Sequence, residues 1–160
     1  MHNNWPNQRD VDTFYGNPRG SDHSQVNEHW YAANIVYVVP PFEITYEGRP
    51  VKRIPMHRKC AASFARVLDQ YKLVYGCMKP VLPYGGSFNY RLIRGGNTLS
   101  MHAYGCAIDV DVERNPMGHL SQYGFHAKSP LVLAFKAEGW TWGGDFVSRP
   151  DPMHFQAAGV

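Results

Sequence analysis

The chain has 160 residues, enough for one domain with its own hydrophobic core. A hydrophobic fraction of 44% and a charged fraction of 18% exclude a disordered chain. A net charge of +3 with scattered basic residues excludes the basic footprint of a nucleic-acid binder. No apolar run reaches the length of a membrane span, and residues 1–30 lack the hydrophobic core of a signal peptide. The expectation is synthesis in the cytoplasm, with delivery to any outer compartment by another route. Cys60, Cys77 and Cys106 are odd in number and lack Cys-x-x-Cys spacing, so they are expected as reduced, largely buried thiols.

No internal repeat or low-complexity linker divides the chain, and residues 1–160 are expected to form a single α+β domain. Residues 1–33 are polar and rich in turn formers, which predicts an irregular arm anchored by Trp5, Phe14, Tyr15 and Trp30. The β-branched run 35–39 stops at Pro40-Pro41 and predicts a strand, with a second short one over 42–46. From Met56 to Val74 the residues Cys60, Ala61, Phe64, Val67, Leu68 and Tyr71 recur at helical spacing, giving an amphipathic helix that ends near Gly76. Val81-Leu82 and a glycine-rich stretch follow, then an expected strand over 88–93. A second helix is expected over 129–138, with Ser129 as N-cap, Pro130 at the first position and Gly139 as the stop. Leu131, Leu133, Ala134, Phe135 and Ala137 would supply its buried side.

The segment 99–112, LSMHAYGCAIDVDV, is the most informative. Ala107 to Val112 alternates as a half-buried strand does, with Ile108, Val110 and Val112 on one face and Ala107, Asp109 and Asp111 on the other. By the same alternation Cys106 points into the core with Ile108 and Val110. His102 lies on the loop entering that strand, and Asp151-Pro-Met-His154-Phe brings a second histidine near the C-terminus. Two histidines and a carboxylate are a common zinc set in hydrolases, because three protein ligands leave one coordination position open. A neighbouring carboxylate can then serve as proton acceptor. On spacing alone the ligands are His102, His154 and either Asp109 or Asp111, with Asp151 as base. His57, His119 and His126 have no such partners and are expected as ordinary surface or core histidines.

Three ordered motifs carry a resemblance: Ser-x-His-x-x-Gly-x-Ala-x-Asp (Ser100 to Asp109), Gly-Trp-x-Trp-Gly-Gly-Asp (Gly139 to Asp145) and Asp-x-x-His-Phe (Asp151 to Phe155). Over roughly residues 54–156 the chain resembles the VanY-like zinc peptidases of bacterial cell walls. That family includes D-alanyl-D-alanine carboxypeptidases and L-alanyl-D-glutamate endopeptidases, among them phage endolysins. The resemblance implies a small α+β domain of the Hedgehog/DD-peptidase kind, with an antiparallel sheet carrying one zinc ion and helices flanking it. It assigns the metal to His102, Asp109 and His154, choosing Asp109 over Asp111, and the base to Asp151. Many relatives have Glu at that place, whereas the endopeptidase branch often has Asp. The family's arginine upstream of the first histidine, which faces the substrate carbonyl, matches Arg91, with Arg94 close by. Arg94, Ser100, Trp142 and Asp145 are the remaining candidate substrate contacts, although Ser100 suits hydrogen bonding within its loop and Trp142 suits a groove wall or the core.

The function implied is hydrolysis of a bond in the peptidoglycan stem peptide, with L-alanyl-D-glutamate endopeptidase activity favoured. The alternatives are a D-alanyl-D-alanine carboxypeptidase and a non-catalytic, zinc-containing wall-binding module. A monomer acting on the cell wall after phage-type release is the expected setting.

Overall fold

A computed structural model describes residues 3–75, 78 and 82–160; the expected helix stop at Gly76, the Cys77 thiol and Val81 lie outside them. The arm is more regular than its composition implies, because it contains α1 (Val11–Tyr15) and α2 (Glu28–Asn34). Asn27 caps α2, its side-chain oxygen accepting from the Trp30 backbone N–H at 3.1 Å. The four aromatic anchors do hold the arm to the domain. Tyr15 donates its hydroxyl to the Ala157 carbonyl at 2.6 Å, Trp30 Nε1 donates to the Tyr15 carbonyl at 3.0 Å, and Trp5 Nε1 donates to the Glu138 carbonyl at 3.1 Å. Phe14 meets Trp5 edge-on.

Strands β1 (Ile35–Val38), β2 (Ile44–Tyr46), β3 (Arg49–Pro50) and β4 (Ile54–His57) follow, then α3 (Arg58–Tyr75). The helix expected from Met56 therefore starts two residues later. Met56 and His57 are held in an antiparallel ladder with β1, in which Val36 pairs with Met56 and Ile35 with His57, and both side chains are fully buried. Tertiary pairing overrides helical spacing at this junction. Within α3 five of the six predicted stripe residues are buried, Cys60, Phe64, Val67, Leu68 and Tyr71, joined by Ser63, while Ala61 is only half-buried.

The second half supplies β5 (Leu82–Gly86), β6 (Ala107–Val110), α4 (Pro130–Ala137), β7 (Thr141–Trp142) and β8 (His154–Gln156). The main sheet has the order β3-β2-β5-β6-β8-β7. It is mixed rather than wholly antiparallel. β2 and β5 run parallel, which the intervening helix α3 permits, whereas β5, β6, β8 and β7 form an antiparallel block. The strand expected over 88–93 is absent. That segment lies beside residues 98–102 through an isolated bridge between Leu92 and Leu99 and scattered backbone hydrogen bonds such as Ile93 N–H to the Thr98 carbonyl at 2.8 Å, which do not build a ladder, and Leu92 and Ile93 are exposed.

α4 begins at Pro130 with Ser129 at the N-cap position, as expected, but the Ser129 hydroxyl makes no capping bond to the helix and instead accepts from the His126 backbone N–H at 2.9 Å. Its buried side is Leu131, Val132, Ala134 and Phe135, while Leu133 is 52% exposed and Ala137 faces solvent. The helix is rotated so that Phe135 stacks on Phe155 of β8, with centroids 4.2 Å apart, and reaches Phe64 of α3. Just past α4, the buried Glu138 carboxylate accepts from Arg66 Nε at 2.9 Å, Arg66 Nη2 at 2.8 Å, the Ser63 hydroxyl and the Asn3 amide. One satisfied charge thereby ties α3, α4 and the arm together. Among the described residues no helix is long and apolar enough to cross a membrane.

His57 is a core histidine held neutral on both sides: Nε2 donates to the Tyr15 carbonyl at 3.1 Å and Nδ1 accepts from the Lys59 backbone N–H at 3.1 Å. Burial pushes its pKa down to about 4, and the nearby Lys59 and Arg58 charges push the same way. Because the folded pKa lies below the unfolded value near 6.5, the unfolded chain takes up the extra proton. His57 thus contributes stability that is complete above about pH 6.5 and is lost between there and about pH 4, on the order of 3 kcal/mol in all. Urea titrations across this range should show the loss in the natural chain and a shallower pH slope in His57→Gln.

Candidate active site

The site is assembled by strand register and by one tight turn. Asp109 of β6 pairs directly with His154 of β8 across the antiparallel ladder, so two of the three candidate ligands are cross-strand neighbours. His102 reaches them from a 3-10 turn over Met101–Tyr104, whose first residue is capped by Ser100: its hydroxyl accepts from the His102 backbone N–H. The turn ends at Gly105, at φ +67°, where a Cβ would stand 2.6 Å from Ile35 Cδ1. Glycine in the Ser-x-His-x-x-Gly motif is therefore demanded by backbone conformation and by packing.

His102 Nε2, His154 Nδ1 and Asp109 Oδ1 converge. The two nitrogens are 3.2 Å apart, and the carboxylate oxygen lies 3.2 Å from the first and 2.9 Å from the second. Each imidazole has its other nitrogen engaged: His102 Nδ1 donates to the Ser87 carbonyl at 2.6 Å, and His154 Nε2 donates to Gln156 Oε1 at 3.0 Å. Gln156 Nε2 in turn donates to the Ala158 carbonyl at 3.1 Å, so its amide oxygen is the atom turned toward His154. With their outer nitrogens protonated, both imidazoles aim lone pairs at the same point as the carboxylate. This donor set fits a metal ion, and outer hydrogen bonds of this kind hold metal-binding histidines in tautomer and orientation. Burial works against ionising Asp109, but the two histidines outweigh it and hold the carboxyl well below the usual range. Burial likewise lowers the His154 pKa, and Asp109 more than reverses that.

Asp111 does not share this face. β6 ends at Val110, and Asp111 adopts φ +52°, which breaks the strand alternation on which its expected position rested. Its buried carboxylate meets Arg114 Nη2 at 2.5 Å, while Val112 is left exposed. Cys106 lies in the core, its thiol donating to the Met101 carbonyl.

Asp151 lines the same cleft as His102 and His154, a recess of about 180 Å³. The Asp151 backbone N–H donates to the Gly143 carbonyl at 2.8 Å, and the His154 N–H donates to the Asp151 carbonyl at 3.0 Å. A Cβ on Gly143 would collide with the Asp151 carbonyl oxygen, so glycine there is required for this approach. Asp151 Oδ1 is buried and has no hydrogen-bonding partner among the described residues. Burial raises its pKa above the ordinary aspartate value.

Similarity to known proteins bears on this constellation. Residues 94–157 match a family model described as D-alanyl-D-alanine carboxypeptidase. The matched stretch holds His102, Asp109, Asp151 and His154 together. Over this segment the chain is similar to the VanY-like peptidases. No curated protein matches the chain. The VanY-like match begins at residue 94, so it contains Arg94 and leaves out Arg91 and the whole arm. That similarity supports a peptidoglycan-acting peptidase in general.

The other candidate residues divide. Arg91, Arg94 and Ser100 line the same cleft as His102, Asp151 and His154. Trp142 instead lies in the core behind it, its indole N–H donating to the Pro152 carbonyl at 2.8 Å and so steadying the loop between Asp151 and His154. Asp145 is exposed and pairs with Lys136 Nζ at 2.6 Å, outside the cleft lining. Sequence reading missed Ser87, Gln156, Arg149 and Gln8. Gln156 was findable, since it stands two residues from His154 on the same strand face. The Ser87 carbonyl and the arm's Gln8, which also lines the cleft, carry no local signal.

Zinc titration against a chromophoric chelator tests the ligand set. Replacing His102, Asp109 or His154 with alanine should abolish stoichiometric binding, whereas Asp111→Asn should leave it unchanged. Gln156→Leu should weaken affinity by about 10- to 100-fold through the lost outer hydrogen bond.

Proposed function

We propose that the protein is a zinc-dependent peptidoglycan peptidase that cuts the L-alanyl-D-glutamate bond of the stem peptide. The observation that supports the metal is the convergence of His102 Nε2, His154 Nδ1 and Asp109 Oδ1, with each histidine's remaining N–H donated to an acceptor. A zinc ion bound there supplies a Lewis acid for the scissile carbonyl and acidifies a water toward neutral pH. Three protein ligands suit a catalytic zinc site, because one coordination position is left for chemistry.

Asp151 takes the proton of the attacking water and delivers it to the leaving amine. Its position suits a proton carrier, because it shares the cleft with two of the ligands and its buried Oδ1 is not engaged by another protein group. Arg91 stands at the cleft wall, where its guanidinium holds the oxyanion that develops on the carbonyl. Ser100 serves the site by capping the His102 turn. We take the place of action to be the cell wall, reached by release from the cytoplasm as phage lysins are, and the working form to be a monomer.

The description of the matched family favours a second reading, a D-alanyl-D-alanine carboxypeptidase acting at the same centre. Mass spectrometry of defined muropeptides after digestion separates the two. New L-alanine ends support the endopeptidase, loss of a single terminal alanine supports the carboxypeptidase, and intact muropeptides in the presence of zinc would refute both.

Asp151→Asn should retain zinc while kcat falls by about 10²- to 10⁴-fold, the usual worth of a positioned proton-transfer group. A chelator should abolish activity of the natural chain, and added zinc should restore it. Wall digestion that persists undiminished in Asp151→Asn would mean that Asp151 is not the base.

A further inference from the structure

The recess that holds His102, Asp151 and His154 has a larger neighbour. A second hollow of about 280 Å³ lies beside it, where Arg9, Asp12 and Arg19 of the arm face Ile93, Thr98 and Leu99 of the loop before the His102 turn. Gln8, Ile93 and Met101 line both spaces, so the two meet along these three residues. The charges of the second hollow are matched within the arm, Arg9 by Asp10 and Arg19 by Asp12. It therefore suits an uncharged chain better than an anion or a cation.

The backbone of the arm is fixed at this junction from two sides. The Gln8 N–H donates to the Gly159 carbonyl at 3.1 Å and the Gly159 N–H donates to the Pro6 carbonyl at 2.8 Å, just beyond β8. On the other side the buried Tyr104, from the same turn as His102, donates its hydroxyl to Asp12, and Arg19 Nη1 donates to both oxygens of that carboxylate at 3.0 and 2.9 Å. The Gln8 side chain takes no part in this bracing. It is half-buried at the junction, and among the described residues its amide is bonded to no other protein group.

A carboxamide offers N–H donors and a C=O acceptor side by side, the same pair of groups that a peptide backbone offers in return. Holding its backbone in place beforehand reduces the entropy lost on binding. We propose that Gln8 is a substrate-binding residue, whose side-chain amide hydrogen-bonds the backbone of the stem peptide where it passes from the metal recess into the second hollow. The proposal rests on the peptidase reading of the site. It makes the arm part of the substrate groove as well as a brace for β8.

The zinc-loaded protein is assayed on synthetic stem peptides of increasing length, beside Gln8→Leu and Gln8→Glu. For the longest peptide Gln8→Leu should raise KM by about tenfold, the worth of one or two hydrogen bonds, with kcat little changed. The loss should grow with peptide length, and Gln8→Glu, which keeps an acceptor and lacks the donor, should recover part of it at most. Zinc affinity and the thermal midpoint should hold, because the Gln8 backbone N–H makes the contact to Gly159 and survives the substitution. Thr98→Trp, which narrows the second hollow from the opposite wall, should also raise KM for the longest peptide. An unchanged KM in Gln8→Leu, a loss equal at every length, a fall confined to kcat, or no effect of Thr98→Trp would each overturn the proposal. If the natural chain cuts no peptide, the peptidase reading has failed. Calorimetric affinities of the same peptides for the natural chain and Gln8→Leu then decide the role of Gln8: a weaker affinity in the variant supports it, and equal affinities or no binding overturn it.

Discussion

His102 Nε2, His154 Nδ1 and Asp109 Oδ1 crowd within 3.2 Å of one another, and such a triangle of electron pairs opposes itself unless positive charge lies among them. A proton relieves one edge of the triangle at a time, whereas a divalent cation serves all three atoms together. The arrangement persists because the protein has removed the alternatives. The Ser87 carbonyl claims one histidine's outer N–H and the Gln156 amide oxygen claims the other's. Neither ring can turn its protonated edge inward without leaving a buried group unpaired, which costs about 1–3 kcal/mol.

Much of the fold can be understood as support for that triangle. The β6–β8 register sets Asp109 opposite His154, and Ile108 and Phe155, one residue along each strand, face the core instead. Phe155 stacks on Phe135, which reaches Phe64, so packing of α3 and α4 against the sheet fixes the strand that carries His154. On the other side, the hydroxyl of Tyr15 donates to the carbonyl of Ala157 just beyond β8, and the Gln8 N–H donates to the Gly159 carbonyl. The arm therefore braces the C-terminal strand and brings Gln8 to the cleft wall.

The acidic groups show how environment sorts like residues into different roles. Asp109 is ionised against its burial by two histidines, and Asp151 is drawn toward the neutral form by burial. Asp111, two residues from Asp109, is turned away by a left-handed backbone and held by Arg114. Glu138 is buried and fully satisfied by Arg66, Ser63 and Asn3, a structural charge with no place in the cleft. Burial and partners, not residue type, separate the four.

Local pattern by itself determined the amphipathic stripe of α3, the Pro130 start of α4, the four aromatic anchors of the arm, and a short set of His and Asp residues suited to a metal. These features depend on neighbours three or four residues away, or on side-chain chemistry alone, and a linear reading captures them. Pattern left Asp109 and Asp111 equivalent, because period-two alternation assumes that the strand continues. The structure separated them through the φ of +52° at Asp111 and the end of β6 at Val110. The start of α3, the absence of a strand over 88–93, the outward turn of Leu133, and the places of Trp142 and Asp145 were likewise decided by long-range packing. The Ser87 carbonyl that orients His102 is a backbone atom with no side-chain signature, and Arg149 reaches the cleft only because the chain folds its loop there. Sequence thus names the groups able to do the chemistry; which of them meet is decided by strand register and backbone conformation, through contacts between residues far apart in the chain.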